Sequence, residues 1–218
     1  MKNKAILNEL ITRYPAIADL AGEIERAADL IIDTYRAGGK VLICGSGGSA
    51  ADALHIVGEL MKSFVLRRKT DKDFLAALSK TAGEDYDYLQ KNLEGALPAI
   101  ALVENSALQT AFSNDVAGDL AFAQQTYGYG NAGDTLIAIS TSGNSRSGVL
   151  AAKVALAKGM NVIALTGEGG GKLGKLANVC VAVHDRETFR IQELHLPIYH
   201  ALCLIVEDEF FAAEGEPR

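Results

Sequence analysis

Two sets of side chains in this chain have the types and spacing for proton or metal chemistry. His55 and Glu59 stand four residues apart in Leu54-His55-Ile56-Val57-Gly58-Glu59, which puts an imidazole and a carboxylate on one face of a helix. Such a pair can chelate a divalent metal or act as acid and base; a plain helix-surface pair is the competing reading. The second set lies in Arg190-Ile191-Gln192-Glu193-Leu194-His195-Leu196-Pro197-Ile198-Tyr199-His200, opening an otherwise apolar C-terminal helix. Gln192, His195 and His200 are costly to bury there without partners, and Pro197 is expected in the first helical turn. Singly, each histidine reads as a satisfied core or interface residue. Three of the chain's four histidines fall in these two segments, however, and the clustering favours a site.

Two loops suit an anion. Gly45-Ser46-Gly47-Gly48-Ser49 runs from an apolar strand pattern into a helical one. Its glycines let the backbone approach a phosphate, and the helix N-terminus offers free N–H groups and a positive partial charge. Ser49 is placed to cap that helix. The pattern is neither GxGxxG nor a GK[ST] loop, so dinucleotide and nucleoside-triphosphate readings lose their main support. Ser140-Thr141-Ser142-Gly143-Asn144-Ser145 repeats the arrangement, with four hydroxyls and a glycine as a dense donor array. One loop alone reads as a tight turn or a capping cluster; two on one sheet edge favour a shared phosphorylated ligand.

The elements that position these residues alternate. Lys40–Cys44, Ala99–Val103, Asp134–Ile139, Asn161–Leu165 and Val179–Val183 are apolar runs that read as buried strands. Helical spacing is expected over 5–13, after Pro15 up to Gly38-Gly39, and over 48–62, 106–126, 146–159, 171–177 and 192–212. Alternating strands and helices predict an α/β fold, a three-layer doubly wound parallel sheet of five strands with ligands at the strands' carboxyl ends. The chain reads as one domain over 1–218, with N-terminal helices over 1–38 and a helical insertion over 63–97. Within the insertion, Arg67-Arg68-Lys69 reads as a solvated loop.

At 218 residues the chain can bury a core without disulfides or metals. Its net charge of −6 argues against a general nucleic-acid binder. Cys44, Cys180 and Cys203 lie in apolar runs without CxxC spacing and read as buried thiols. No apolar run reaches membrane-spanning length, and the N-terminus reads as an amphipathic helix rather than a signal segment. No membrane association and a cytoplasmic location are the expectations.

At Cys44–Ser49, His55–Leu60, Asn114-Asp115, Ala138–Ser145, Ala164–Gly167 and Arg190–His195 the chain resembles the sugar isomerase (SIS) domain family, and within it the sedoheptulose-7-phosphate (phosphoheptose) isomerases. The resemblance spans nearly the whole chain outside 63–97. It implies a flavodoxin-like sandwich and a homotetramer with active sites at subunit interfaces. It implies zinc, one ion per subunit, held by His55, Glu59, Gln192 and His200, with Glu59 and His200 as the acid/base pair. Substrate contacts are implied at Ser46, Gly47, Gly48, Ser49, Glu59, Asn114, Asp115, Ser140, Thr141, Ser142, Ser145 and Gln192. The implied reaction converts sedoheptulose 7-phosphate to D-glycero-D-manno-heptose 7-phosphate through an enediol, the first step of nucleotide-activated heptose synthesis. Three positions depart from the family pattern. Gly58 and Phe189 replace acidic residues, and Ser63 falls near a frequent arginine, for which Lys62 or Arg67 would stand in. Other readings are an isomerase of another phosphosugar, a sugar-phosphate sensor, and a non-catalytic module that binds the bacterial replication initiator. Because all four expected metal ligands are present, the enzyme reading leads.

Overall fold

The computed structural model describes residues 2–212; Met1 and residues 213–218 lie outside it. Helix α1 (Lys2–Arg13) leads through a 3-10 segment (Pro15–Leu20) into α2 (Ala21–Arg36). Then follow β1 (Val41–Cys44), α3 (Gly48–Met61), α4 (Lys72–Leu78), α5 (Tyr86–Asn92) and β2 (Ala99–Ala101). Helices α6 (Ser106–Phe112) and α7 (Ala121–Tyr129) precede β3 (Thr135–Ser140), α8 (Arg146–Ala157), β4 (Asn161–Thr166), α9 (Gly171–Leu176), β5 (Val179–Ala182) and α10 (Thr188–Phe211).

All five strands run parallel in the order β2-β1-β3-β4-β5. Because strand side chains alternate faces, the sheet feeds two cores. Val41, Ile43, Ile137, Ile139, Ile163 and Leu165 pack with α1, α2, α3 and α10. Leu42, Cys44, Leu136, Ala138, Val162 and Ala164 pack with α7, α8 and α9. The expected three-layer sandwich is therefore present, with both faces covered as continuous apolar strands require. Among the described residues no helix is long and apolar enough to cross a membrane.

Several expectations are corrected. The helix over 106–126 is four pieces: α6, a π-helical turn (Ser113–Ala117), a 3-10 turn (Gly118–Leu120) and α7. Ala117 is extended, with φ −165° and ψ 125°, and breaks the run. Helix α10 begins at Thr188 rather than 192 because the Asp185 carboxylate accepts from the backbone N–H groups of Arg186 and Glu187 and turns the chain early. Pro197 consequently sits inside α10, buried, instead of in its first turn. Cys44 and Cys203 are buried thiols, but Cys180 is only half-buried.

Candidate active site

The crossover from β1 leads through α3 to β2 on one side, and that from β3 leads through α8 to β4 on the other. This reversal opens a crevice beyond the carboxyl ends of β1 and β3, the place where doubly wound sheets bind ligands. Both loops singled out in the sequence leave these two neighbouring strands, whose register pairs Cys44 with Ala138.

The first loop is shaped by its glycines. A Cβ on Gly45 would run into the backbone of Ser49, and Gly47 has φ +61°. This tight turn makes Gly47 the N-cap and starts α3 at Gly48, so Ser49 is a buried second residue of the helix and not its cap. Ser46, Gly47 and Gly48 are exposed at the helix N-terminus. In the second loop Gly143, at φ +63°, lies so close to the Gly170 carbonyl that no side chain fits. Leu173 N–H donates to Gly143 O at 2.9 Å and Lys172 N–H to Asn144 Oδ1 at 3.2 Å, tying the loop to the start of α9. Ser140 Oγ accepts from Ser145 N–H at 3.4 Å, Ser142 Oγ accepts from Asn144 N–H at 3.1 Å, and the Ser145 and Ser147 hydroxyls lie 3.2 Å apart.

Helix α3 carries His55 and Glu59 to a meeting with His200 of α10. His55 Nε2 lies 3.3 Å from Glu59 Oε1 and 3.5 Å from His200 Nε2. The two imidazoles pack edge to face with centroids 4.9 Å apart. Burial, reinforced by His55, holds the His200 pKa below its ordinary value, and Glu59 pulls it partly back. Glu59 Oε2 accepts from Lys62 Nζ at 3.2 Å. Lys62 therefore reaches the expected site, while Arg67 is exposed and Ser63 is buried with its Oγ accepting from Arg68 N–H.

The donor set, two imidazole nitrogens and a carboxylate oxygen, suits zinc. Ligands of a tetrahedral zinc with bonds of 2.0–2.1 Å stand about 3.4 Å from one another, and both spacings around His55 match. Among the described residues, no three His, Cys, Asp or Glu side chains converge as a ready-made metal cradle. The two pairs share His55, but the third edge is not closed. The fourth expected ligand, Gln192, packs beneath the first loop, its amide nitrogen 2.5 Å from where a Cβ on Gly48 would stand.

Two neighbours that the sequence reading passed over complete the cluster. The Tyr199 hydroxyl lies 3.0 Å from His55 Nδ1 and donates to Asp52 Oδ1 at 3.3 Å. Burial first, and then the Asp52 charge, push the Tyr199 pKa far up, so the hydroxyl keeps its proton. Burial also raises the Asp52 pKa, opposed by the Tyr199 hydrogen bond and by His55. Asp52 Oδ2 is buried with no partner among the described residues, a position that costs about 1–3 kcal/mol. The signal was available: Asp52, His55 and Glu59 fall at three- and four-residue spacing on one helix face.

Arg68 overturns the solvated reading of the basic triplet. Its side chain is 0 % exposed and its Nε donates to Glu207 Oε1 at 2.8 Å. Its two terminal nitrogens donate to the carbonyls of Leu60 (2.6 Å) and Glu59 (2.7 Å), satisfying the end of α3. Glu207 in turn accepts from the backbone N–H groups of Phe64, Val65 and Leu66. No sequence pattern announces a partner 139 residues away.

His195 is fully buried, its Nε2 3.2 Å from Thr166 O and its Nδ1 without a partner among the described residues, so it reads as a core histidine. Asn114 and Asp115 are exposed on the π-helical turn, where Asn114 Nδ2 donates to Asp115 Oδ1 at 2.9 Å. A cavity of about 910 Å³ lies in the insertion, lined by residues such as Arg67, Lys69, Lys72 and Lys91, and includes none of the expected site residues.

The SIS domain family matches residues 7–91 and 89–167. A phosphoheptose isomerase of Akkermansia muciniphila is 37% identical over 91% of this chain and 91% of its own. One of Rhodospirillum rubrum is 38% identical over 88% of each chain. Among solved structures, a phosphoheptose isomerase of Neisseria gonorrhoeae superposes with a TM-score of 0.72 at 33% identity, covering 94% of this chain and 96% of that one.

Proposed function

We propose that this chain, which belongs to the phosphoheptose isomerase family of SIS-domain proteins, converts sedoheptulose 7-phosphate to D-glycero-D-manno-heptose 7-phosphate. One observation carries the reading: His55, Glu59 and His200 meet on helices launched from, or packed beside, two glycine- and hydroxyl-rich loops at one sheet edge. Ketose–aldose interconversion moves a proton from C1 to C2 through an enediol, while the hydroxyl proton moves from O1 to O2. Glu59 and His200 are the pair for these transfers. The two oxygens of Glu59 face different partners, Oε1 toward His55 and Oε2 toward Lys62. One oxygen can therefore serve a metal while the other handles a proton. His55, Glu59 and His200, with Gln192 as the fourth ligand, would hold zinc, which when bound polarises the carbonyl and stabilises the developing oxyanion.

Phosphate is held by the N–H groups and hydroxyls of Ser46–Ser49, Ser140, Thr141, Ser142 and Ser145, fixing the reacting carbons at the far end. Asn114 and Asp115 reach substrate from their exposed turn, and they suit a site completed by a neighbouring copy. A homotetramer is supported by Leu54, Met61 and Leu196, apolar and exposed beside the histidine cluster, which a second copy would cover. The cytoplasm suits a chain whose three cysteines are free thiols.

The test is an assay of purified protein on a panel of phosphosugars, with Glu59→Gln and His200→Ala as controls. Isomerisation of sedoheptulose 7-phosphate, lost in both variants with folding intact, is the expected outcome. Full activity in either variant, or no turnover by the unaltered protein on any member of the panel, would overturn the reading.

A further inference from the structure

We propose that Tyr199 is a positioning residue that fixes His55 as its Nδ1–H tautomer, so that the Nε2 lone pair faces Glu59 and His200 as a ready cation ligand. The inference rests on the metal reading of the same cluster and adds residues to it. Asp52 sits one turn before His55 on α3, and Tyr199 lies between the two. The Tyr199 hydroxyl has one proton, and it donates that proton to Asp52 Oδ1 at 3.3 Å. Its oxygen can then only accept from His55, across 3.0 Å, so Nδ1 must carry the imidazole proton. Nε2 is left bare, 3.3 Å from a carboxylate oxygen and 3.5 Å from a second imidazole nitrogen.

Lone pairs brought this close repel unless a cation, or a proton on His200 Nε2, lies among them. The hydrogen-bond chain thus converts His55 from an ordinary ion-pair partner of Glu59 into a metal ligand. Partners on the far nitrogen commonly set tautomer and ring orientation in this way. The His55 ring also packs edge-on against Tyr199, with centroids 5.5 Å apart, and against His200, at 4.9 Å, and those two rings touch each other. Among the described residues Asp52 accepts a hydrogen bond from Tyr199, while its other oxygen is buried and unpaired. Its carboxylate therefore serves the chain to His55 rather than a packing network.

Tyr199→Phe keeps the buried ring and removes only the hydroxyl. Zinc affinity is measured by competition with a chromophoric chelator for the unaltered protein, Tyr199→Phe and Asp52→Ala, alongside kcat, KM and thermal unfolding of the metal-free proteins. Tyr199→Phe should bind zinc about 10–100-fold more weakly, with a lower kcat, an unchanged KM for sedoheptulose 7-phosphate and unchanged metal-free unfolding. Asp52→Ala leaves the Tyr199 ring in place and should weaken zinc in the same direction, which keeps the test decisive should Tyr199→Phe misfold. Equal zinc affinity in the unaltered protein and Tyr199→Phe, or in Asp52→Ala if Tyr199→Phe misfolds, would refute the positioning role alone. An unaltered protein that takes up no zinc would overturn the metal reading and this inference with it.

Discussion

Replacing Arg68 with methionine tests how the insertion is tied to the helix that carries Glu59. The substitution deletes three hydrogen bonds: one to Glu207 Oε1 and one each to the carbonyls of Leu60 and Glu59. It also leaves the Glu207 carboxylate, 1 % exposed, without its counter-charge. Breaking a buried pair from one side costs about 3–5 kcal/mol. For a chain of this size each kcal/mol moves Tm by about 2–4 °C, so a fall of roughly 6–20 °C is expected. The usual remedy, replacing both partners with apolar residues, should fail here. Glu207 also accepts from three backbone N–H groups, at 2.8, 2.9 and 3.1 Å. In the double variant Arg68→Met/Glu207→Leu those donors lose their acceptor, at about 1–3 kcal/mol for each one left buried. Urea unfolding at one fixed protein concentration measures both variants, since association would otherwise add to apparent stability. An Arg68→Met protein within about 1 kcal/mol of the parent, too small for any buried pair broken from one side, would refute the reasoning. A double variant restored to full stability would show that the 64–66 backbone has other acceptors.

Gly143→Ala should cost about 1–3 kcal/mol from its left-handed φ alone, and more from the clash with Gly170 O; a raised KM for the phosphosugar alongside a lower urea midpoint checks it. Gly48→Ala places a methyl 2.5 Å from the Gln192 amide nitrogen, the movable end of a side chain; zinc affinity and KM should suffer while the unfolding midpoint barely moves. Burial holds the His195 pKa below its ordinary 6.5, so on acidification the unfolded chain takes up a proton that the folded chain refuses. Stability from this residue is complete above pH 6.5 and falls as pH drops toward the depressed value. Unfolding midpoints across this range should decline, and less steeply in His195→Gln.

The five strands were legible because each is an unbroken apolar run between turn residues, which only a sheet covered on both faces accommodates. The two glycine- and hydroxyl-rich loops were legible for a related reason, since they stand directly after a strand and before a helix. What escaped depended on contacts between distant segments. Arg68 lies in a basic triplet that looks solvated, and only Glu207 makes its burial tolerable. Tyr199 reads as one more apolar residue of a buried helix until Asp52 and His55 are seen on either side of its hydroxyl. One helix start and one helix cap were misplaced where the turn into the helix came from outside the usual position. Asp185 begins α10 four residues early, and the Gly45 turn pulls Ser49 inside α3.

Helix α10 packs against α1, α2 and α3, and it supplies His200, Tyr199 and Glu207. During synthesis it follows all five strands, so the ribosome releases a nearly finished sheet whose α2 and α3 face is still bare. At about 5–20 residues per second, the span from α3 to α10 takes roughly 7–30 s. Through that interval Arg68 has no carboxylate and the apolar face of α2 has no cover, which is when a nascent chain is most prone to aggregate or to recruit a chaperone. Closure of the histidine cluster and protection of that face therefore arrive in one event, the docking of α10.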